Sequence, residues 1–410
     1  MRHKKLIRAA ALCAALVIFV LCSPHLAAKS AGAIPAHVMN FTLWKQSGVA
    51  DQVPVSWAAA NATFVETRSP AFAAAFHAAG GQFTVAYSDP NYYYEAADYH
   101  SPGDFPEDAF GHDAGGSRIS RLQGHGVEYY LLPNSTTALK IYSQVTAKAV
   151  ASGAYDFLFA DGVSDSLAES TFRMSSRPVE IASDRDYVAG MKRLLAAAAR
   201  PVIINGFNNG NPLAIETYAT SSNVAGIYGE ECFHSNRGPK TEEAWRNDAQ
   251  SLLYTTAHDR YAFCGGHGND PDNRAERLYW LASWWLTFDL RHSVAMEEFE
   301  SPGDVYVFPE IQLVPTGPLQ TAGGNIDRLR ASSGVYLREF RSCYEAGSSI
   351  GPCAAVVNPS AAASAPLPST SQTYSRSLSL RENNLFDGGR LGFASPPSVL
   401  GPGQAVILVH

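Results

Sequence analysis

The residues able to do chemistry in this 410-residue chain are carboxylates, amides and aromatics, and they fall at the ends of short apolar runs. Asp161 closes the run Tyr155-Asp156-Phe157-Leu158-Phe159-Ala160 and precedes Gly162. A carboxylate has little reason to end so apolar a run unless it caps a helix or takes part in a reaction. Glu230 and Glu231 follow Val224-Ala225-Gly226-Ile227-Tyr228-Gly229 in the same way. Successive strand residues point to opposite faces, so at most one of these glutamates can face a shared site. Tyr87 and Asp89 end a third run and precede Tyr92-Tyr93-Tyr94, Asn205 ends a fourth, and Glu298 stands in a late acidic group with Glu297 and Glu300. No Gly-x-Ser-x-Gly elbow offers an activated serine. Paired carboxyls with aromatic platforms and hydroxyl-binding amides are what glycosidic cleavage requires. One carboxylic acid protonates the leaving oxygen, and one carboxylate attacks the anomeric carbon or activates water. On that chemistry Asp161 with Glu230 or Glu231 are the catalytic candidates, and Tyr87, Asp89, Tyr92, Asn205 and Glu298 are the substrate-binding ones.

These side chains must be gathered by the elements that carry them. Eight apolar runs are expected as strands: 36–44, 83–88, 128–133, 155–161, 201–207, 224–230, 261–266 and 292–299. Helix-like segments separate most of them. Pro70–Ala79 opens with proline at a first-turn position, and Thr241 stands as an N-cap ahead of two glutamates. The stretch 275–290 is apolar nearly all round, as a buried helix would be. Strands alternating with helices over this length imply an α/β fold, a (β/α)₈ TIM barrel with its functional residues at the C-terminal strand ends. A doubly wound open sheet is the competing architecture, but no dinucleotide fingerprint or P-loop follows the first strand. Beyond residue 300 helical periodicity gives way to short strand-like runs between Pro-, Ser- and Gly-rich turns. The expected organisation is a signal peptide over 1–33, the barrel over 34–325, and a small antiparallel β-sandwich domain over 326–410.

The N-terminus places a basic segment (Arg2 to Arg8) before an uncharged apolar run, with small residues following. That run is shorter than the ~20 residues of a membrane span, so a cleaved secretory signal and a secreted or periplasmic product are expected, with no stable membrane insertion. An uncleaved anchor and a lipoprotein attached through Cys22 are the other readings. The mature chain then keeps Cys232, Cys264, Cys343 and Cys353. An even number in an exported protein points to disulfides. Cys343 and Cys353 flank a turn-rich segment and could clip a hairpin, which would leave Cys232 with Cys264. Free buried thiols are the alternative. A net charge of −7 with no basic stripe argues against a nucleic-acid partner. His112, Asp113, His267 and Asp270 are scattered and lack metal-ligand spacing, so neither a metal nor a cofactor is expected.

The segment Tyr155 to Val163 resembles the fourth-strand pattern of glycoside hydrolase barrels related to endo-α-1,4-polygalactosaminidase, with Gly162 in place of that pattern's second aspartate. Gly229-Glu230-Glu231-Cys232-Phe233 is similar to their sixth-strand glutamate motif. Tyr336-Leu337-Arg338-Glu339-Phe340, followed by Ala355-Val356-Val357-Asn358-Pro359, looks like the signature of their C-terminal β domain. The resemblance covers most of the mature chain. It implies a polysaccharide or oligosaccharide substrate, Asp161 as nucleophile or base, and a sixth-strand glutamate as acid. Glu230 is favoured because it directly follows its strand, and Asn205 is the substrate-binding amide. A non-catalytic carbohydrate-binding protein on the same barrel and a metal-dependent carbohydrate deacetylase are the competing functions.

Overall fold

The computed structural model describes residues 41–43, 54–94, 105–123, 126–171, 174–205, 212–235, 238–266, 273–297, 308–381 and 389–410. The expected signal peptide and Glu298 lie outside the described residues.

Short strands and helices alternate along the first part of the chain, and several of the helices open on a capping side chain. Strand β1 (Phe41–Leu43) precedes helix α1 (Val55–Asn61), β2 (Phe64–Glu66) precedes α2 (Pro70–Ala78), and β3 (Phe83–Ser88) leads into an antiparallel excursion. That excursion holds β4 (Tyr92–Tyr94), β5 (Ser120–Gln123) and β6 (Gly126–Tyr130), and the chain returns through α3 (Thr136–Ala149). Next come β7 (Phe157–Ala160), α4 (Leu167–Ser170), α5 (Asp184–Ala197), β8 (Val202–Asn205), α6 (Pro212–Ala219) and β9 (Val224–Gly229). A small pair, β10 (His234–Ser235) and β11 (Gly238–Pro239), precedes α7 (Glu242–Ala257), β12 (Tyr261–Gly265), α8 (Arg274–Thr287) and β13 (Ser293–Glu297). The side chains of Ser69, Ser135, Ser183, Thr241 and Asn273 each accept a backbone N–H at a helix start, which satisfies donors the helix leaves open.

Strands β2, β3, β7, β8, β9, β12 and β13 form a curled parallel sheet in that order, and β1 pairs in parallel with both β13 and β2. The concave face is packed by large side chains, among them Phe64, Val85, Phe159, Ile203, Tyr228 and Phe263. Two expectations are corrected here. The run 128–133 is not in this sheet, since β6 pairs antiparallel with β4 and β5. Its Glu128 is buried against Arg121, a polar side chain that a strand covered on both faces would not carry. The missing member is β2, too short to announce itself by periodicity. The two corrections cancel in the count, so Asp161, Asn205 and Glu230 still follow the fourth, fifth and sixth strands of the parallel set.

Beyond β13 the chain builds β14 (Leu313–Pro318), β15 (Tyr336–Glu345), β16 (Ser348–Asn358), β17 (Ala365–Pro366), β18 (Arg376–Ser379), β19 (Gly392–Ala394), β20 (Val399–Leu400) and β21 (Gln404–Val409). Six of these form one antiparallel sheet in the order β14-β15-β16-β21-β18-β19, and β17 and β20 form a separate pair. Cys343 and Cys353 form a disulfide across the β15–β16 hairpin, with Cα atoms 5.8 Å apart.

The sheet lies on α8, which explains why that helix is apolar all round: every residue from Tyr279 to Thr287 is buried. Two arginines fix this junction. Arg338 of β15 is buried and its Nη1 donates to the carbonyls of Leu286 and Phe288 at 3.0 and 2.9 Å. It thus satisfies carbonyls that the end of α8 leaves open, at the end where the helix dipole favours a cation. Burial lowers the Arg338 guanidinium to about 10. Arg277 of α8 pairs with buried Glu310 at 2.8 Å, lies over the Phe308 ring, and donates to the Arg381 carbonyl. Replacing Arg338 by Met is expected to cost about 3 kcal/mol in denaturant unfolding, because it strands buried carbonyls. An unchanged midpoint would show that solvent reaches them.

Candidate active site

On a strand, alternate residues share a face, and the sheet's concave row continues into the site. Val85 leads to Tyr87, Phe159 to Asp161, Ile203 to Asn205, and Tyr228 to Glu230. Register between β8 and β9 decides which glutamate joins them. Val202 faces Val224, but Ile203 faces Gly226, so Ala225 is an extra residue in β9. Asn205 then faces Tyr228, and Glu230 falls on the row of Asn205. A slip of one residue would turn the whole row over. Gly226 suits the tight spot, since a Cβ there would lie 2.8 Å from the Tyr261 carbonyl oxygen.

The side chains converge. Asn205 Nδ2 donates to Asp161 Oδ1 at 2.9 Å and to Glu230 Oε2 at 3.1 Å. Two oxygens bonded to one nitrogen cannot be further apart than those distances combined, about 6 Å. Tyr87 Oη donates to Asp161 Oδ2 at 2.7 Å, and the Gly162 N–H donates to Oδ1 at 2.8 Å. These three groups facing Asp161 are donors, as an acceptor-only carboxylate needs. Gly162 has φ +66°, a region costly for other residues, and a Cβ there would lie 3.1 Å from the Tyr92 ring.

Asp89 lies beneath this group and is only 3% exposed. Its Oδ1 accepts the backbone N–H groups of Asn91 and Tyr92 at 2.9 and 3.1 Å. Burial, then the charge of Asp161, pushes its carboxyl well above the usual carboxylate range. Asp89 therefore shapes a turn, and that turn presents Asn91, whose amide donates to the Gly162 carbonyl. Tyr92 is also a supporting residue and not an open platform. It is 7% exposed, its hydroxyl donates to the Ser170 carbonyl at 2.9 Å, and Arg121 covers its ring at 4.1 Å.

Glu231 bridges through its backbone to Gly266, and its charge acts on Asp248 of α7. That buried carboxyl is raised to about 6 by burial, with Lys240 at 2.8 Å opposing the shift. Asp248 also accepts the N–H of Phe233, which holds a positive φ of 64°. The segment after Glu230 is tied down a second time by the Cys232–Cys264 disulfide, Cα atoms 5.3 Å apart, joining the ends of β9 and β12. Closing its 32-residue separation contributes about 3–4 kcal/mol by chain entropy. Gly265 permits the approach, because a Cβ there would lie 2.7 Å from the Glu230 carbonyl oxygen.

Sequence reasoning missed Arg68. It follows the unrecognised β2, and its guanidinium lies 5.0 Å from the centroid of the Tyr87 ring. The available signal was a brief apolar pair, Phe64-Val65, just before the Ser69-Pro70 helix start.

Among the described residues no group of three or more His, Cys, Asp or Glu side chains is placed to hold a metal ion. His267 and Asp270 lie outside the described residues. His112 sits between two carboxylates, 2.9 Å from Glu107 and 2.7 Å from Glu180.

No family model matches the chain, and no curated protein does. Solved structures give distant likenesses. Ega3 of Aspergillus fumigatus, in complex with galactosamine, is 14% identical over 66% of this chain and 94% of its own, with a TM-score of 0.40. The galactosidase domain of the α-galactosidase–sucrose kinase AgaSK is 9% identical over 90% of this chain, which spans 54% of that one, at a TM-score of 0.44. An α-amylase from Malbranchea cinnamomea is 12% identical over 83% of this chain and 76% of its own, at 0.39. The last two are a galactosidase and an amylase by name. With every one of those TM-scores below 0.5, function must be read from the side chains of the site.

The His112 contacts are expected to act as a pH-dependent latch. Hydrogen bonds to Glu107 and then Glu180 raise its imidazole, while Arg118 and then His112 pull Glu107 down to about 2. The His112 contribution is full below the ordinary imidazole value and is lost as pH rises through the elevated one. The Glu107 contribution is present above the ordinary carboxylate value and fades as pH falls toward 2. Amide exchange over residues 106–118, corrected for intrinsic rates, is expected to be slower near about pH 6 than near about pH 9. His112→Gln should flatten that difference; a wild type with no pH dependence would discard the latch.

Proposed function

We propose that this chain is an exported glycoside hydrolase that cleaves a polysaccharide glycosidic bond with the Asp161–Glu230 pair. We read the parallel sheet as a (β/α)₈ barrel over 34–325 and the rest as a β-sandwich domain over 326–410. The N-terminal basic-then-apolar layout and the two disulfides support export.

The observation that carries the reading is the Asn205 bridge. Carboxyls about 5–5.5 Å apart suit a covalent double displacement, and 6.5–9.5 Å leaves room for water on the opposite face. The ~6 Å ceiling bounds the bridged oxygens Oδ1 and Oε2, and on that proximity we take retention of configuration as the outcome to test. Asp161 is the nucleophile. Its Oδ1 already accepts two N–H groups, so Oδ2, which accepts only from Tyr87, keeps a lone pair for the anomeric carbon. Glu230 is the acid. Its Oε2 accepts from Asn205, so its proton sits on Oε1 and passes to the leaving oxygen. In the second step a water attacks the anomeric carbon as Glu230 takes its proton, and the bond to Asp161 Oδ2 breaks to free the sugar and the carboxylate. Asn205 positions both groups. The proximity of the two carboxyls favours hydrolysis over the carbohydrate-binding alternative, which needs none, and both ring nitrogens of His112 are already taken by Glu107 and Glu180.

Reducing-end release from a broad polysaccharide panel tests the reading. Asp161→Asn and Glu230→Gln are each expected to lower kcat by at least about 10³-fold with folding intact, and Glu231→Gln by less than about tenfold. Asn205→Ala should lower kcat by about 10²-fold, because both carboxyls lose their shared donor. Proton NMR of the first product should show retained anomeric configuration. Activity that survives Asp161→Asn would remove this residue from the chemistry, and an inverted product would remove the covalent step.

A further inference from the structure

Among the described residues the proposed site presents two carboxyl groups, Asp161 and Glu230, in a chain of net charge −7. Arg68 is a cation among the described residues near it. It is exposed, follows the C-terminal end of β2, and lies over the face of Tyr87 at 5.0 Å. Tyr87 is the residue whose hydroxyl holds Asp161 Oδ2, so Arg68 stands one aromatic ring from the reacting carboxylate. An arginine beside two carboxyls would ordinarily be neutralised by one of them. Among the described residues Arg68 makes no ion pair and no side-chain hydrogen bond, and its one interaction is with the ring. A cation–π contact fixes a guanidinium plane without consuming its N–H donors. The N–H donors of Arg68 are thus left for a ligand beside Tyr87. A guanidinium fork matches the two oxygens of a carboxylate.

We propose that Arg68 is a specificity-determining residue that binds the carboxylate of an acidic sugar, so that the substrate class is a uronic-acid-containing polysaccharide. This inference rests on the glycosidase reading of the same site. Arg68 offsets the repulsion that a uronate would meet from the Asp161 carboxylate, and it does so from beside the reacting centre. It therefore contributes to binding substrate and transition state alike, and its loss should appear in KM more than in kcat.

The test compares wild type, Arg68→Ala and Arg68→Lys on a panel of polyuronates and on their methyl esters, which keep the backbone and lose the charge. Wild type is expected to prefer the acidic forms. Arg68→Ala should raise KM at least tenfold on them, with kcat within threefold, and change the esters less than twofold. Arg68→Lys should fall between, because it keeps the charge and loses the planar fork. An equal loss on both forms would make Arg68 a mere prop for Tyr87 and overturn the proposal, as would a wild type that cleaves neutral polymers and no acidic one. Titration calorimetry of wild type and Arg68→Ala with oligouronides separates the two readings. Binding that depends on Arg68 without hydrolysis would keep the anion site and reject the glycosidase. Oligouronide binding by neither protein would reject the anion site, whatever hydrolysis of neutral sugars shows.

Discussion

One amide nitrogen can hold two carboxylates only if three strands deliver their side chains to the same point, and this requirement organises the site. Asn205 meets it because β7, β8 and β9 are adjacent and parallel, so their ends finish together. Parallel order alone is insufficient. The extra residue in β9 at Ala225 sets Tyr228 and Glu230 on the concave row. Without that bulge the neighbouring side chains would exchange faces, and the Asn205 amide would lack its second acceptor. The lower concave row is densely aromatic, with Phe64 and Phe263 edge to face at 5.1 Å. That packing fixes the strand ends against one another.

The support of each carboxylate comes from outside its own strand. Asp161 depends on the β3–β4 turn through Gly162, Asn91 and buried Asp89. Glu230 depends on the segment directly after it. The Cys232–Cys264 bond anchors that segment, and the Lys240–Asp248 pair holds its Phe233 in an unfavourable backbone conformation. Two buried acids, Asp89 and Asp248, thus serve the site without facing it. Both are pushed toward their neutral forms by burial.

Much of this was legible in the sequence. Runs such as Phe157–Ala160 and Val202–Asn205 read as buried parallel strands because both of their faces are covered, and the polar residue at each end marks where the cover stops. Adjacent Glu230 and Glu231 had to diverge for the same alternation. The all-round apolar character of α8 announced a helix with a second layer on it. The features that escaped were non-local. β2 is too short to carry a period, and with it Arg68 was missed. The β6 segment has strand chemistry but pairs elsewhere, and its Glu128 is satisfied by an arginine that only the fold brings near. Tyr92 looked like a sugar platform since burial of a loop tyrosine depends on Arg121 and Ser170, distant in the chain. Asn205 read as a ligand for hydroxyls because nothing local reveals two carboxylates waiting for its amide.

The seating of the antiparallel sheet on α8 has a bearing on how such a chain could have been assembled over evolutionary time. Catalytic enzymes often gain or shed accessory modules by recombination at a linker, because each piece folds alone. Here the helix between β12 and β13 buries its outer face, Trp285 included, under β15, β16 and β21, and its final carbonyls are closed by Arg338 from the other side. A recombination event that removed the last hundred or so residues would therefore leave a tryptophan-rich helix in water. The appended sheet is inherited with the parallel one or not at all.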